Sequence, residues 1–307
     1  MKLTMAQKIA VAMITTGLGF LFAVPNNPGP AQMVITAESA QKGTPPANLG
    51  AGDLTVLAGK TPVQVRRLDR LTGDMANMQL FIFLDDSSRS GSLGPQLAEL
   101  KSFVETLPGT TQVAVGYMRN GAFALAQGFT TDHQRAAHAL GLPMAFPGAN
   151  GSPYFALSDL TKHWPSKETT NRPTVLMLTD GVDRYWGTAV MDDPYVHESI
   201  DDALKANVTV YSIYLRGAGF YGEGDWVTNT AQSRLQQVSR ATGGEAWSEG
   251  FSNPVAIAPF LKDFTARLGN QYRLTLEASN REGVVPVRVQ SELRGLKIQS
   301  PTEIYVR

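Results

Sequence analysis

Two apolar patterns alternate along the middle of this chain. Met78-Gln-Leu-Phe-Ile-Phe-Leu84 and the segment from Pro173 to Thr179 are apolar at almost every position, as expected of strands buried on both faces of a parallel sheet. Between and after them, apolar residues recur at helical spacing. Leu93, Leu97, Leu100, Val104 and Leu107 follow Ser92, a candidate N-cap, and Pro108-Gly109 closes that helix. Gln112 to Met118 predicts a strand, Asn120-Gly121 a tight turn, and Ala122 to Gln127 its antiparallel partner. His133 to Leu140 and Tyr154 to His163 predict two helices, separated by a Gly/Pro/Asn-rich loop from Gly141 to Gly151. A helix from His197 to Ala206, a strand from Val208 to Leu215 and a helix from Thr230 to Ala241, stopped by Gly243-Gly244, come next. A short strand near Ala246 and a helix from Val255 to Leu268 complete the series.

Strands alternating with helices predict a doubly wound α/β domain over residues 77–270, with a mostly parallel sheet and one antiparallel edge strand. On both sides the pattern changes. Leu54-Thr-Val-Leu and Val63-Gln-Val-Arg flank Gly59-Lys60 and predict a β-hairpin within residues 53–76. Gln271 to Ala278, Val285 to Gln290 and Leu296 to Arg307 alternate without an intervening helix, so residues 271–307 read as a small β appendage that can pair with that hairpin. Residues 32–52, rich in Pro, Gly, Ala, Gln and Asn, read as a flexible spacer.

Residues 1–31 carry a targeting signal. Lys2 and Lys8 precede an apolar run from Ile9 to Val24, and a Pro/Asn/Gly stretch follows. The run is shorter than the roughly 20 residues of a membrane span, which favours a signal peptide over an N-terminal anchor. The expectation is an exported protein, periplasmic or extracellular, with anchoring to the inner membrane as the alternative. The 27 basic and 27 acidic residues balance, so no field steers nucleic acid toward the surface. The absence of cysteine removes disulfides, thiolate metal sites and thiol nucleophiles.

In an open α/β sheet, the loops beyond the carboxyl ends of the strands make the binding site. Three such loops here are rich in oxygen. Asp85-Asp86-Ser87-Ser88-Arg89-Ser90 follows the opening strand, and the alternate residues Asp86, Ser88 and Ser90 can converge on one point. Asn150-Gly151-Ser152 precedes a helix, and Thr179-Asp180-Gly181 closes the strand from Pro173. Shifting the first turn by one residue would offer Asp85 and Ser87 instead, although the full Asp-x-Ser-x-Ser spacing starts only at Asp86.

Over roughly residues 77–270 the chain resembles the von Willebrand factor A family, whose metal-ion-dependent adhesion site (MIDAS) combines Asp-x-Ser-x-Ser with a Thr and an Asp from two further loops. With its flanking strands it looks most like the exported members found in Acidobacteria. The resemblance implies that Ser88 and Ser90 hold a divalent cation directly, with Asp86 and Asp180 close by or acting through water and Ser152 standing in place of the Thr. Hard oxygen donors suit Mg²⁺, or Mn²⁺ or Ca²⁺, and incomplete coordination leaves a place for a carboxylate from a protein ligand. The expected function is therefore a non-catalytic, metal-dependent protein-binding or adhesion module. The alternative is a structural or assembly domain with a degenerate site. Two departures motivate it: Ser152 lacks the methyl of Thr, and Arg89 places a fixed charge between the two serines.

Other features carry less. Gly217-Ala-Gly219-Phe-Tyr-Gly222 matches the three-glycine dinucleotide fingerprint, but no helix opens after it, and a surface loop is the better reading. His133, His138, His163 and His197 lack zinc spacing and read as capping or solvated residues. Tyr185, Trp186, Tyr195, Phe220, Tyr221 and Trp226 fall in two long loops at the rim, alongside Asp183, Arg184, Asp192 and Asp193, and read either as recognition residues or as packing. No Gly-x-Ser-x-Gly elbow and no phosphate loop is present, so nothing pairs a nucleophile with a base.

Overall fold

A computed structural model describes residues 31–41, 44–86, 90–142, 151–185, 193–216, 224–277 and 282–306. In chain order the elements begin with β1 (Gln32–Ser39), β2 (Leu54–Ala58), β3 (Thr61–Pro62), β4 (Val65–Arg70) and β5 (Met78–Asp85). There follow α1 (Ser90–Glu105), β6 (Thr111–Arg119), β7 (Ala122–Thr130), α2 (His133–Ala139), α3 (Pro153–Lys162) and β8 (Arg172–Thr179). Next come α4 (Pro194–Lys205), β9 (Thr209–Tyr214), α5 (Asp225–Ala241), β10 (Ala246–Trp247) and α6 (Ala258–Leu268). The chain ends with β11 (Gln271–Leu276), β12 (Gly283–Ser291), β13 (Leu296–Gln299) and β14 (Glu303–Val306).

The central sheet has the order β10-β9-β8-β5-β6-β7. All its neighbours are parallel except β6 and β7, which pair antiparallel around the Asn120-Gly121 turn, where both residues take positive φ. The pleat of β5 explains its unbroken apolar sequence. Leu80, Ile82 and Leu84 pack against α1, α2 and α6, while Phe81 and Phe83 pack against α3, α4 and α5. Strand order reverses at β5, which lies between β6 and β8, so the crevice of the fold opens where Asp85 and Thr179 end their strands.

The flanking segments build more than a hairpin and an appendage. Two four-stranded sheets, β13-β1-β11-β4 and β14-β12-β2-β3, enclose one apolar core containing Met33, Ile35, Val56, Tyr272, Leu274, Val287 and Ile304. The α/β domain thus interrupts a β-sandwich assembled from both sides of it. This corrects the reading of residues 32–52 as spacer. Residues 32–39 form an inner strand pairing with β11 and β13, and Met33, Ile35 and Ala37 are buried. The hairpin is also shorter than its apolar runs suggest, joining Leu57 to Pro62, while Val65–Arg70 crosses to pair with β11. The expected pairing of the last segment with the early strands is present between β12 and β2.

Smaller differences have local causes. The single terminal strand divides into β13 and β14 at Pro301, which cannot donate to a ladder. Helix α1 begins at Ser90, ahead of the predicted cap Ser92, and α5 begins at Asp225 rather than Thr230. Sandwich and α/β domain are joined by polar contacts. Arg267 on α6 bonds Glu38, Gln299 and Asp263, and the Thr302 amide donates to the Ala241 carbonyl at 3.3 Å.

Candidate functional site

Asp85 and Asp86 sit where β5 stops, and both are buried, each with about 3% exposure. They turn to opposite neighbours. Asp85 accepts a short hydrogen bond from the Thr179 hydroxyl on β8. Asp86 Oδ2 accepts from Arg119 Nε at 2.8 Å, at the end of β6. The register places them so: Asp85 is opposite Met118, so the next residue on each strand faces the other. Asp86 Oδ1 is buried and has no hydrogen-bond partner among the described residues. Asp86 lines a cavity with room for about one water-sized sphere, 10 Å³, whose wall also includes Asn120-Gly121 and Gly151-Ser152.

Ser152 faces that cavity as the N-cap of α3. Its oxygen accepts from the Phe155 amide at 3.3 Å, and its hydroxyl donates to Asp183 Oδ2 at 2.7 Å. A hydroxyl has one proton and two lone pairs, so one lone pair of Ser152 stays uncommitted by these bonds. Asp183, fully buried, also accepts from the Tyr185 amide at 2.8 Å and so ties the third loop to the second.

Asp180 closes β8 and is wholly buried. Its Oδ1 accepts from the Val182 amide at 3.0 Å, and the guanidinium of Arg184 grips both carboxylate oxygens. Gly181 makes that turn possible with φ of +66°, and a Cβ there would lie 2.8 Å from Leu235 Cγ. Tyr154 supports the same turn from α3, donating its hydroxyl to the Gly181 carbonyl at 2.9 Å. Burial pushes the Tyr154 phenol well above its ordinary value, so it acts as a fixed neutral donor.

Of the predicted ligands, Asp86, Ser152 and Asp180 therefore gather around the crevice at the ends of β5 and β8. Ser90 is the first residue of α1. Ser87, Ser88 and Arg89 lie outside the described residues, as do Trp186, Asp192, the Gly217–Gly222 fingerprint, Phe220 and Tyr221. Among the described residues no three His, Asp or Glu side chains converge as a metal cluster. A cation here would depend on hydroxyl donors besides carboxylates. The donor chemistry fits an ion at one point in particular: the small cavity lined by both Asp86, with its orphaned oxygen, and Ser152, with a spare lone pair.

Sequence reasoning missed Arg119 as the counter-charge of Asp86. Its signal was in-register pairing of β5 with β6, which the motif alone does not carry. Arg184, for which the sequence leaves recognition and packing both open, pairs with Asp180. Phe155 was also missed. It packs against Tyr195 with ring centroids 3.9 Å apart and the rings tilted by 44°, and meets Tyr185 edge-on at 5.2 Å, so the rim aromatics partly pack on each other. Tyr185 and Trp226 remain about half exposed.

Behind the site, Arg234 on α5 pairs with Asp193, the N-cap of α4, at 3.3 Å, both almost fully buried. Burial raises the Asp193 pKa above its ordinary value, against the bonds from the Tyr195 and Val196 amides. Three histidines bond main chain: His133 with Thr111 O, His138 with Gln134 O, and His163 with Asp159.

No model of a known protein family matches the chain, and no curated protein matches it. Solved structures similar to it include a von Willebrand factor type A protein from Catenulispora acidiphila, 12% identical with a TM-score of 0.45, over 92% of this chain and 75% of that one. An aerotolerance-related membrane protein from Bacteroides fragilis is 11% identical with a TM-score of 0.44, over 62% of this chain and 98% of that one. Proximal thread matrix protein 1 from the mussel byssus, described with a zinc-occupied MIDAS motif, is 15% identical with a TM-score of 0.45, over 67% and 48% of the two chains. Von Willebrand factor A domains are thus among the solved structures similar to this chain, the family that its Asp-x-Ser-x-Ser loop resembles in sequence.

Proposed function

We propose that this chain is an extracytoplasmic, non-catalytic protein-binding module of the adhesion type, whose crevice at β5 and β8 takes a divalent cation, Mg²⁺ before Mn²⁺ or Ca²⁺. The observation that carries the reading is the buried Asp86 Oδ1 without a partner. A buried carboxylate oxygen left unbonded is costly, and a hard cation relieves that cost. Asp86, Ser152, Ser88 and Ser90 would hold the ion, with Asp180 acting at one remove because Arg184 occupies it. The ion would supply an open position for a carboxylate on a partner protein. Export rests on Lys2, Lys8 and the apolar run from Ile9 to Val24.

Isothermal titration of the protein with Mg²⁺, Mn²⁺ and Ca²⁺ tests this reading. Saturable binding that disappears in Asp86→Ala is expected, and wild-type protein that binds none of the three ions would reject it. A second reading, a structural or assembly domain, is favoured by one specific observation: each candidate carboxylate already has an arginine partner, Arg119 for Asp86 and Arg184 for Asp180. That reading expects ion-free protein, and a Ser88→Ala/Ser90→Ala variant with unchanged fold and partner binding.

A further inference from the structure

At the other end of the central sheet, β8 opens with Arg172, a guanidinium only 6% exposed. A buried charge normally has an opposite charge beside it. The hydrogen-bond partners of Arg172 are neutral: the Leu268 carbonyl at 3.4 Å and the side-chain oxygen of Gln271, whose amide nitrogen goes to the Tyr211 hydroxyl at 2.8 Å. Its Nε has no partner among the described residues. Burial is the main cause that lowers its pKa to about 10; the Tyr211 phenol opposes that shift, Arg273 on β11 adds to it, and no carboxylate is among the groups that act on it. Arg273 spends one nitrogen on the Thr170 carbonyl at 3.3 Å.

Both arginines line a groove of about 510 Å³ at the seam between the α/β domain and the sandwich, with Trp164, Pro173 and Tyr305 among its apolar walls. That volume is the size of a small-molecule site. Among the described residues the one carboxylate on its wall, Glu168, accepts from Asn171 at 2.7 Å and from Gln112 at 3.3 Å. Lys205 on the same wall is paired with Asp202 at 3.4 Å, so the two arginines carry the positive charge of the groove. Residues 1–30, which lead into the groove wall at Ala31, contain no Asp or Glu and so offer no internal counter-charge.

We infer that this groove binds a small organic anion, its oxyanion head held between Arg172 and Arg273 and its body against Trp164 and Tyr305. Guanidinium forks match carboxylate and phosphate oxygens two at a time, and two arginines on one groove with no carboxylate acting on Arg172 leave a place for a ligand's oxyanion. The site is independent of the cation crevice at the opposite end of the sheet.

Benzoate and phenyl phosphate, titrated at constant ionic strength and followed by the Trp164 indole and arginine NεH signals in NMR, test the assignment. Neutral benzamide and chloride serve as controls. Saturable shifts with one or both aromatic anions, absent with benzamide and chloride, are expected. Tighter binding of benzoate assigns a carboxylate head, and tighter binding of phenyl phosphate a phosphate head. Arg273→Gln, at a half-buried position, is expected to weaken binding by about tenfold or more, the loss of one hydrogen bond to a charged group. Arg172→Met is expected to remove it. No saturable shift in the wild type, an equal response to benzamide or chloride, or unchanged affinity in a folded Arg273→Gln variant would each overturn the inference.

Discussion

The two ends of the central sheet handle buried charge in opposite ways. At the carboxyl ends of the strands, acids are buried and each has a donor: Asp85 has Thr179, Asp86 has Arg119, Asp180 has Arg184 and Asp193 has Arg234. At the amino end, Arg172 is buried among neutral groups, with Arg273 nearby. The acidic end is thus supplied with donors, although Asp86 Oδ1 and Asp193 Oδ2 make no hydrogen bond among the described residues, whereas Arg172 has no carboxylate beside it. In the first case a ligand must compete with an arginine already in place. In the second it meets no rival, so binding depends on what the groove can enclose.

The largest expected effect comes from breaking the deepest pair at the acidic end. Asp193→Ala takes the carboxylate from the buried Arg234, and loss of about 3–5 kcal/mol is expected from removing one partner of a buried pair. It also removes the cap of α4. Chemical denaturation measures it. A loss comparable to that of an exposed pair would mean that Arg234 finds water or another acid, and the two ends would then differ less than their burial implies. Next in size is Thr179→Val, which keeps shape but removes the hydroxyl that bonds Asp85 and accepts from the Gly181 amide. Losing a buried hydrogen bond to a charged group predicts a cost of about 1–3 kcal/mol by the same measurement.

Arg119→Ala probes competition at Asp86. Arg119 is about half exposed, so its pair with Asp86 contributes on the order of 1 kcal/mol. If a cation has to share that carboxylate with Arg119, the variant should bind Mg²⁺ about five- to tenfold more tightly. Unchanged affinity would separate the ion from Asp86 altogether.

A smaller effect is read in pH. Asp202 on α4 is opposed by its burial, but the Ser158 hydroxyl at 2.6 Å and the Lys162 ammonium at 2.9 Å outweigh that and hold its pKa below the ordinary carboxylate value. A depressed folded pKa contributes stability that is complete above the unfolded value of about 3.9 and is lost as pH falls through the folded one. Because Lys162 is nearly half exposed, the contribution should stay under about 1 kcal/mol. Asp202→Asn should therefore flatten the acid limb of the stability curve below about pH 4 and leave the slope near neutrality alone. A changed slope near pH 7 would assign the effect to another group.

How much of this was legible in the sequence follows from the range of each interaction. Strands β5 and β8 were legible because burial on both faces demands an unbroken apolar run, and their ends located Asp86 and Asp180. Strand β1 was not. Its inward residues are Met33, Ile35 and Ala37, set among Pro- and Gly-rich neighbours, and its principal partner β11 lies more than 230 residues later. The arginine partners were hidden for the same reason. Arg119 reaches Asp86 through strand register, and Arg172 and Arg273 share a groove because the sandwich closes around the α/β domain.

The smallest expected effect is the most telling for the contrast between the ends. Arg172→Met replaces a buried, unpaired guanidinium by an apolar side chain of similar reach, and in anion-free buffer stability should change by no more than about 1 kcal/mol, with a gain as acceptable as a loss. The hydrogen bonds to Leu268 and Gln271 are lost, yet so is the cost of keeping a charge away from water. A loss of several kcal/mol, as for Asp193→Ala, would mean that Arg172 is held by the fold as firmly as the acids are. The amino end would then be a structural joint between sheet and sandwich, with its charge serving the protein rather than a ligand.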